Sequence, residues 1–205
     1  MKRLRFIAIL LIALVCGGAS AQSRHDGHRG HGACEQHGRY DWSPYFVAGD
    51  KVLFEGHVIQ GASASTFAIL DDGYAKDAWC VYYWGRKIDG ASSNTFRVLG
   101  YGYAADTWSV YYNGVKIDGA SPESFTVLAD WYARDTWNVY YDGRKISGAS
   151  PESFRVLRDG YACDTWNVYF DAVKVPGASP ESFRVLRHGY ACDAWNTYYL
   201  GKKVQ

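Results

Sequence analysis

Aromatic and β-branched residues alternate with short polar turns in a pattern that returns every 29 residues from about Tyr45 onward. The stretch from Asp135 to Leu157 recurs with small changes in the other copies. A period of this length indicates a repeat architecture, in which each copy forms one structural unit. Two steps mark the copies: Gly-Ala-Ser begins at Gly61, Gly90, Gly119, Gly148 and Gly177, and Asp-x-Trp begins at Asp77, Asp106, Asp135, Asp164 and Asp193.

Each copy contains a predicted β-hairpin. The run Val139-Tyr140-Tyr141 leads into Asp142-Gly143, and the preceding copy has Asn113-Gly114 at the same place. These dipeptides are typical of two-residue type I′ turns. Alternation along the strand puts Val139 and Tyr141 on one face and Tyr140 on the other. Phenylalanine replaces Tyr141 in other copies, which predicts a core ring, whereas the Tyr140 position predicts either a surface row or a hydrogen-bonded row.

A tight turn is predicted after the hairpin. Ser150-Pro151-Glu152-Ser153 combines a good N-cap residue with proline at the first helical position, so we expect one helical or 3₁₀ turn. Phe154 should anchor this turn in the core, and a short strand should follow it. The polar step at 158–160 then reverses the chain into Tyr161. The sequence therefore predicts an all-β fold with three or four short strands per unit.

The copies favour an open stack. Six hairpins but only five Phe-x-Val-Leu segments are present, and the first copy, 50–54, lacks the tryptophan, as expected of an end cap. We predict tandem 29-residue β-hairpin or meander repeats in an open, solenoid-like stack over 45–205, with a small β-propeller as the alternative.

Residues 1–21 are predicted to be a secretory signal peptide. Lys2, Arg3 and Arg5 precede the apolar run 6–15, and Ala19-Ser20-Ala21 suits a signal peptidase. Ten apolar residues are too few to span a bilayer, so no transmembrane span is expected after cleavage. We expect a periplasmic or secreted protein, or alternatively a lipid-anchored one acylated at Cys16. The remaining 19 basic and 21 acidic residues give a formal charge of −2, which argues against nucleic-acid binding.

Residues 22–44 are predicted to be a disordered His/Gly-rich linker, because they are polar and poor in aliphatic residues. This tract suggests weak binding of Zn(II), Cu or Ni(II), although its spacing matches no fixed zinc pattern. The candidate ligands are His25, His28, His31, Cys34 and His37.

Export would permit disulfides. Cys163 and Cys192 occupy the same position of adjacent copies, and a bridge between them needs equivalent strands to be neighbours in one sheet. Cys34 with Cys80 is an alternative pairing that no spacing argument supports.

Three repeated positions are candidates for function. The Asp-x-Trp aspartates could suggest a glycosidase, but five equivalent copies are better explained as turn residues that bond their own backbone. A row of lysines could form a basic stripe, or a solvated strand face. A row of tryptophans could stack on sugars or bind a protein, or could cap the hydrophobic layer between units. The tryptophans are Trp79, Trp108, Trp137, Trp166 and Trp195, and the lysines are Lys87, Lys116, Lys145, Lys174 and Lys203.

The chain resembles the DKNYY repeat family of bacterial exported proteins. The matching residues include Asp106, Val110-Tyr111-Tyr112-Asn113-Gly114, Lys116-Ile117, Gly119-Ala120 and Phe125. Thr107-Trp108 stands where the family pattern has Lys-Asn. The resemblance implies an envelope or secreted repeat protein over 45–205 and supplies no catalytic residue.

No Ser/His/Asp arrangement, phosphate-binding loop or metalloprotease motif is present in the sequence. We therefore expect a non-enzymatic protein without a cofactor. It would act as a binding or scaffold module in the cell envelope, with an envelope protein or a cell-wall glycan as partner. Glycan binding through the Trp and Tyr rows, or metal binding through the His-rich tail, are the alternatives.

Overall fold

The computed structural model describes residues 43–204, which form 23 short strands in six separate antiparallel sheets. The first sheet has three strands, and each of the others has four. The bounds are β1 Tyr45–Ala48, β2 Lys51–Phe54 and β3 His57–Val58; β4 Ala68–Ile69, β5 Tyr74–Lys76, β6 Val81–Tyr83 and β7 Arg86–Ile88; β8 Arg97–Gly100, β9 Tyr103–Ala105, β10 Val110–Tyr112 and β11 Val115–Lys116; β12 Thr126–Val127, β13 Tyr132–Arg134, β14 Val139–Tyr141 and β15 Arg144–Lys145; β16 Arg155–Val156, β17 Tyr161–Cys163, β18 Val168–Phe170 and β19 Val173–Lys174; β20 Arg184–Val185, β21 Tyr190–Cys192, β22 Thr197–Tyr199 and β23 Lys202–Lys203.

Every sheet is a simple meander in which consecutive strands pair. In the fourth sheet, Tyr132 lies opposite Tyr141 and Ala133 lies opposite Tyr140. The predicted type I′ turns are consistent with the backbone, since Asp142 and Gly143 both have positive φ, at 48° and 73°. The predicted all-β hairpin repeat is therefore confirmed.

The core consists of layers between successive sheets. Side chains alternate along each strand, so Tyr132 and Val139 pack toward the fifth sheet, whereas Ala133 and Tyr140 pack toward the third. Each inner sheet is consequently buried on both faces, although its strands are only two to four residues long. A unit of this size cannot bury its own apolar surface, and the neighbouring units complete its core.

The turn that starts with serine contributes one aromatic ring to each layer. Phe125 and Phe154 are buried, and Phe125 contacts the rings of Tyr103 and Tyr140 on either side of it. The inward anchor is thus confirmed. The helical part of the prediction holds in one copy, where Ala64–Thr66 forms a 3₁₀ turn without a side-chain cap from Ser63.

In the Ser-Pro-Glu-Ser copies the segment is a non-helical turn. The expected serine N-cap is replaced by two different bonds: Ser121 donates its backbone N–H to Asp135, and Ser124 Oγ accepts the N–H of Thr136.

One tyrosine per unit links that unit to the next. Tyr103 Oη donates to the carbonyl of Trp131 and accepts the N–H of Gly143, both at 3.0 Å. The residues at this position are named the linking tyrosines: Tyr45, Tyr74, Tyr103, Tyr132, Tyr161 and Tyr190. The first five accept an N–H from the hairpin turn 40 residues further along the chain, at 2.8–3.0 Å.

Each hairpin turn from the second to the fourth sheet also contacts an aromatic ring on a strand of the preceding sheet. A Cβ built on Gly143 would lie 2.6 Å from the ring of Tyr112 in the preceding unit. Gly114 has the same relation to Tyr83, and Gly85 to Phe54. The positive φ of the turn and the ring that packs on it both favour glycine, although the fifth sheet accommodates Ala172 at this position with a φ of 63°.

The stack ends in two uncovered faces. Phe46 in the first sheet is 66% exposed, and Tyr190 in the sixth is 44% exposed, while the linking tyrosines between them are buried. A closed propeller would cover both faces. The described residues thus form an open stack, as predicted in preference to a propeller.

Candidate binding surface

The five tryptophans of the Asp-x-Trp turns are the most exposed large apolar side chains among residues 43–204. Their exposed fractions lie between 75% and 85%. They occupy the same turn in five successive units, and we call them the Trp row: Trp79, Trp108, Trp137, Trp166 and Trp195. The expectation that these rings cap the hydrophobic layers is wrong, because the phenylalanines and tyrosines fill those layers.

An inward-pointing aspartate holds each ring outward. Asp135 is 3% exposed, and its Oδ1 accepts the N–H groups of Trp137 and Asn138, both at 2.7 Å. Its Oδ2 accepts the Ser121 N–H at 3.0 Å and the Tyr140 hydroxyl at 2.7 Å. Since the aspartate points into the protein and fixes the amides two and three residues later, the indole of Trp137 projects into solvent.

The same bonds keep these aspartates ionised. Burial by itself raises the pKa of Asp135, but the hydrogen bonds from Ser121, Tyr140, Trp137 and Asn138 outweigh it, so the pKa lies below its usual value. The pKa is lowered in the same way at the equivalent positions, Asp77, Asp106, Asp164 and Asp193.

The tyrosine partners show the opposite shift. Burial, and then the hydrogen bond to Asp106, raise the pKa of Tyr111 to about 12. The pKa of Tyr198 is raised to about 12 by burial and then by its bond to Asp193. Both phenols therefore stay protonated at neutral pH and donate to the carboxylate.

This geometry explains the repeated aspartates as turn residues. Both oxygens of Asp135 are already occupied by internal donors, and Asp106 is only 1% exposed. A glycosidase acid needs a raised pKa and access to substrate, and these carboxylates have neither. Of the two alternatives for the Tyr140 position, a surface row or a hydrogen-bonded row, the structure shows the second. Tyr140 donates its hydroxyl to Asp135 and is fully buried, so its ring is not available to a ligand.

A second turn lies beside each tryptophan. Thr136, next to Trp137, donates its N–H to Ser124 Oγ at 3.1 Å, which places the Ser-Pro-Glu-Ser turn against the Asp-x-Trp turn. Glu123 in that turn is exposed, as are Glu152 and Glu181. Exposed carboxylates thus lie in the turns beside the last three rings of the Trp row, Trp137, Trp166 and Trp195, and could bond to hydroxyl groups of a ligand.

The lysine row lies on the outermost strand of the second to sixth sheets. Lys145 in β15 pairs in register with Tyr140 and is exposed, like its counterparts Lys87, Lys116, Lys174 and Lys203. Charged lysines on an edge strand discourage further strand pairing. The position is explained by this role without an anionic ligand.

The predicted Cys163–Cys192 bridge is absent from the structure, where both thiols are free. Cys163 lies in β17 and Cys192 in β21, which belong to different sheets. In other units the same position carries Lys76 or Arg134, which reach backbone carbonyls of the following turn. Burial raises the pKa of the Cys163 thiol, so it is a poor nucleophile.

The predicted metal ligands of the tail, His25, His28, His31, Cys34 and His37, lie outside the described residues, as do the predicted signal peptide and Cys16. Within residues 43–204, no group of three or more His, Cys, Asp or Glu side chains is placed to hold a metal ion. The same residues contain no helix long and apolar enough to cross a membrane.

The role of the linking tyrosines was not predicted from the sequence, although the sequence contains a signal for it. Tyrosine stands at this position in all six copies, whereas the Tyr140 position contains Leu53 and the Tyr141 position contains Phe54 and Phe170. A hydroxyl retained in every unit indicates a hydrogen bond that every interface needs.

The chain belongs to the DKNYY family, whose sequence profile matches residues 37–115 and 103–205. The two matches overlap and together cover all six sheets. Searches of curated proteins and of solved structures find no match.

Proposed function

We propose that this chain is an exported, non-enzymatic binding module of the bacterial cell envelope, and that its Trp row stacks on a linear glycan. The observation that carries the proposal is the exposure of 75–85% for the same side chain in five successive units. The family match and the repeated β-structure agree with a module that has no single catalytic centre.

An exposed indole in a turn is unfavourable for the folded protein, because its apolar rings stay in contact with water. Thr136, beside it, is small and polar, and the bonds that hold the turn come from Asp135 and from the backbone, without the indole. The hydrogen bonds of the turn do not require an aromatic ring at the Trp137 position. The repeated presence of tryptophan there therefore favours a role in contact with a partner. Indole faces stack well on the apolar faces of sugar rings, and the indole N–H can bond to a hydroxyl.

The spacing suits a polymer. Sheets packed face to face lie about 10 Å apart, and a spacing of this order between neighbouring rings of the Trp row would correspond to roughly one disaccharide. A linear glycan could therefore contact several rings at once. Weak stacking at each ring would add up, because every contact after the first is intramolecular.

Co-sedimentation with insoluble cell-wall glycan tests this proposal. The test variant replaces Trp108, Trp137 and Trp166 by alanine. The control is Trp131→Asn, because Trp131 is a half-exposed tryptophan outside the row and asparagine tolerates its positive φ of 64°. We expect the wild type and the control to sediment with the glycan and the triple variant to stay in solution. Equal sedimentation of all three proteins would overturn the proposal.

Export is tested separately. Protein recovered from the periplasm or the medium should begin at Gln22, as expected if cleavage follows Ala21. An N-terminal residue at Cys16 carrying a lipid would instead support the anchored form. Recovery of the uncleaved chain from the cytoplasm would contradict export.

A further inference from the structure

The two uncovered faces of the stack match the two halves of an interface that the molecule already uses between its own units. On the sixth sheet, the rings of Tyr190 and Tyr199 lie 4.7 Å apart, as those of Tyr103 and Tyr112 do at 4.8 Å in the third. Tyr190 is 44% exposed and Tyr199 41%, although Tyr103 is fully buried by the following unit.

The hydroxyl of Tyr190 has no partner among residues 43–204. Every other linking tyrosine accepts an N–H from the hairpin turn of the next unit. The sixth sheet therefore presents an unused donor and acceptor at the position where an interface is expected.

The first sheet presents the complementary groups. Gly56 occupies the turn position of Gly85, yet its N–H has no partner within the described part of the chain, and no atom lies within 4 Å of a Cβ built on it. At Gly85 a ring of the preceding unit fills that space at 2.6 Å. Pro44 occupies the position of Gly73, whose carbonyl accepts the Tyr45 hydroxyl.

The same face of the first sheet is apolar. Phe46 stands where the other units have a buried alanine such as Ala75, and it is 66% exposed. Its neighbour across the β1–β2 pair is Leu53, in place of the usual tyrosine. This sheet lacks the phenylalanine that precedes the others, and Phe46 supplies an aromatic ring on the face where that phenylalanine would pack.

We propose that a second copy of this chain docks its first sheet on the sixth sheet of the first copy, so that the stack continues head to tail. The Tyr190 hydroxyl would donate to the Pro44 carbonyl and accept the Gly56 N–H of the second copy, and Tyr199 would pack on that glycine. Such a heterologous contact leaves one free face at each end and generates open chains or rings.

Sedimentation velocity over a range of concentrations tests the docking, with the protein purified as the cell processes it. The variants Phe46→Lys and Tyr190→Lys each place a charge on one of the two faces. We expect the wild type to form larger species as concentration rises, and each variant alone to remain monomeric. An equimolar mixture of the two should form dimers and nothing larger, because each variant retains one intact face.

Two controls complete the test. Val115→Lys changes a side chain that is 69% exposed on an edge strand away from both faces, and it should associate like the wild type. Tyr190→Phe keeps the ring and should weaken association about tenfold or more, as expected for the loss of both hydrogen bonds of the hydroxyl. A wild type that stays monomeric up to about 1 mM, where only contacts weaker than about 4 kcal/mol would escape detection, would overturn the proposal. A mixture of the two lysine variants that stays monomeric while both remain folded would do the same.

Discussion

Tyr103 Oη accepts a hydrogen bond from the N–H of Gly143, 3.0 Å away and 40 residues further along the chain. The phenol comes from one sheet and the amide from the hairpin turn of the next. The same bond joins each pair of neighbouring units between Tyr45 and Gly201. Packing and hydrogen bonding thus cooperate at every interface of the stack.

Removal of this hydroxyl should destabilise the protein. Tyr103→Phe leaves the ring in its layer but leaves the Gly143 N–H and the Trp131 carbonyl without their shared partner. The expected loss is about 1–3 kcal/mol in the free energy of unfolding, measured by urea denaturation. Tyr190→Phe is the matched control, since the hydroxyl of Tyr190 has no partner within residues 43–204, and dilute protein should keep wild-type stability. Equal losses in the two variants would show that the hydroxyl does not act through the interface.

The contact between a turn glycine and the preceding ring can be separated from backbone strain. Gly143 and Gly148 both have φ of 73°, but only Gly143 would place a Cβ against a ring, that of Tyr112. Gly148→Ala should therefore cost about 1 kcal/mol from its left-handed backbone. Gly143→Ala should lower the free energy of unfolding by a further ~1 kcal/mol, because the ring of Tyr112 must shift to admit the methyl group, as the fifth sheet admits Ala172 at the equivalent turn. Thermal unfolding of the two proteins measures the difference, and similar melting temperatures would argue against a tight contact.

The buried aspartates should be sensitive to loss of charge. Asp135→Asn puts an amide donor in front of the Ser121 N–H or the Tyr140 hydroxyl, which then lack an acceptor. We expect a loss of about 2–3 kcal/mol in the free energy of unfolding. Asp159→Asn changes an exposed turn residue whose left-handed backbone also suits asparagine, and it should be neutral. A neutral Asp135→Asn would contradict the assigned hydrogen bonds.

Stability should also fall in acid. The pKa is lowered at the aspartates of all five Asp-x-Trp turns, four of which are buried. Aspartate side chains in the unfolded state have a pKa of about 4, so the unfolded state takes up protons before the folded state as the pH falls. The stabilisation is therefore complete above about pH 4–5 and is lost progressively as the pH falls through the folded pKa values.

Urea denaturation between pH 7 and pH 2 measures this loss. Asp135→Asn should show a shallower pH dependence than the wild type, because one of the five groups no longer titrates differently in the two states. An identical slope would show that Asp135 does not contribute to the acid sensitivity.

Local chemistry was sufficient to predict the repeat unit. Asn113-Gly114 and Asp142-Gly143 specify the hairpin turn, and alternation along 139–141 assigns the two faces correctly. These features depend on residues close together in sequence, so their spacing is visible without a structure.

The features that depend on neighbouring units were harder to predict. Tyr103 bonds to a turn 40 residues away, and Trp137 is exposed because Asp135 turns inward toward Ser121. The serine of the Ser-Pro turn has the sequence of an N-cap, yet its amide is used by an aspartate 14 residues later. In each case a hydrogen bond to a residue distant in sequence determines where the side chain or the amide points.

The most direct test of the account is a fluorescence titration with soluble cell-wall glycan fragments of increasing length. The Trp row contributes five exposed indoles, so binding should shift the emission to shorter wavelength, and longer fragments should bind more tightly until they span the row. Trp108→Ala/Trp137→Ala/Trp166→Ala should lose both effects, whereas Trp131→Asn should keep them. An affinity that does not depend on fragment length or on the three row tryptophans would contradict the account.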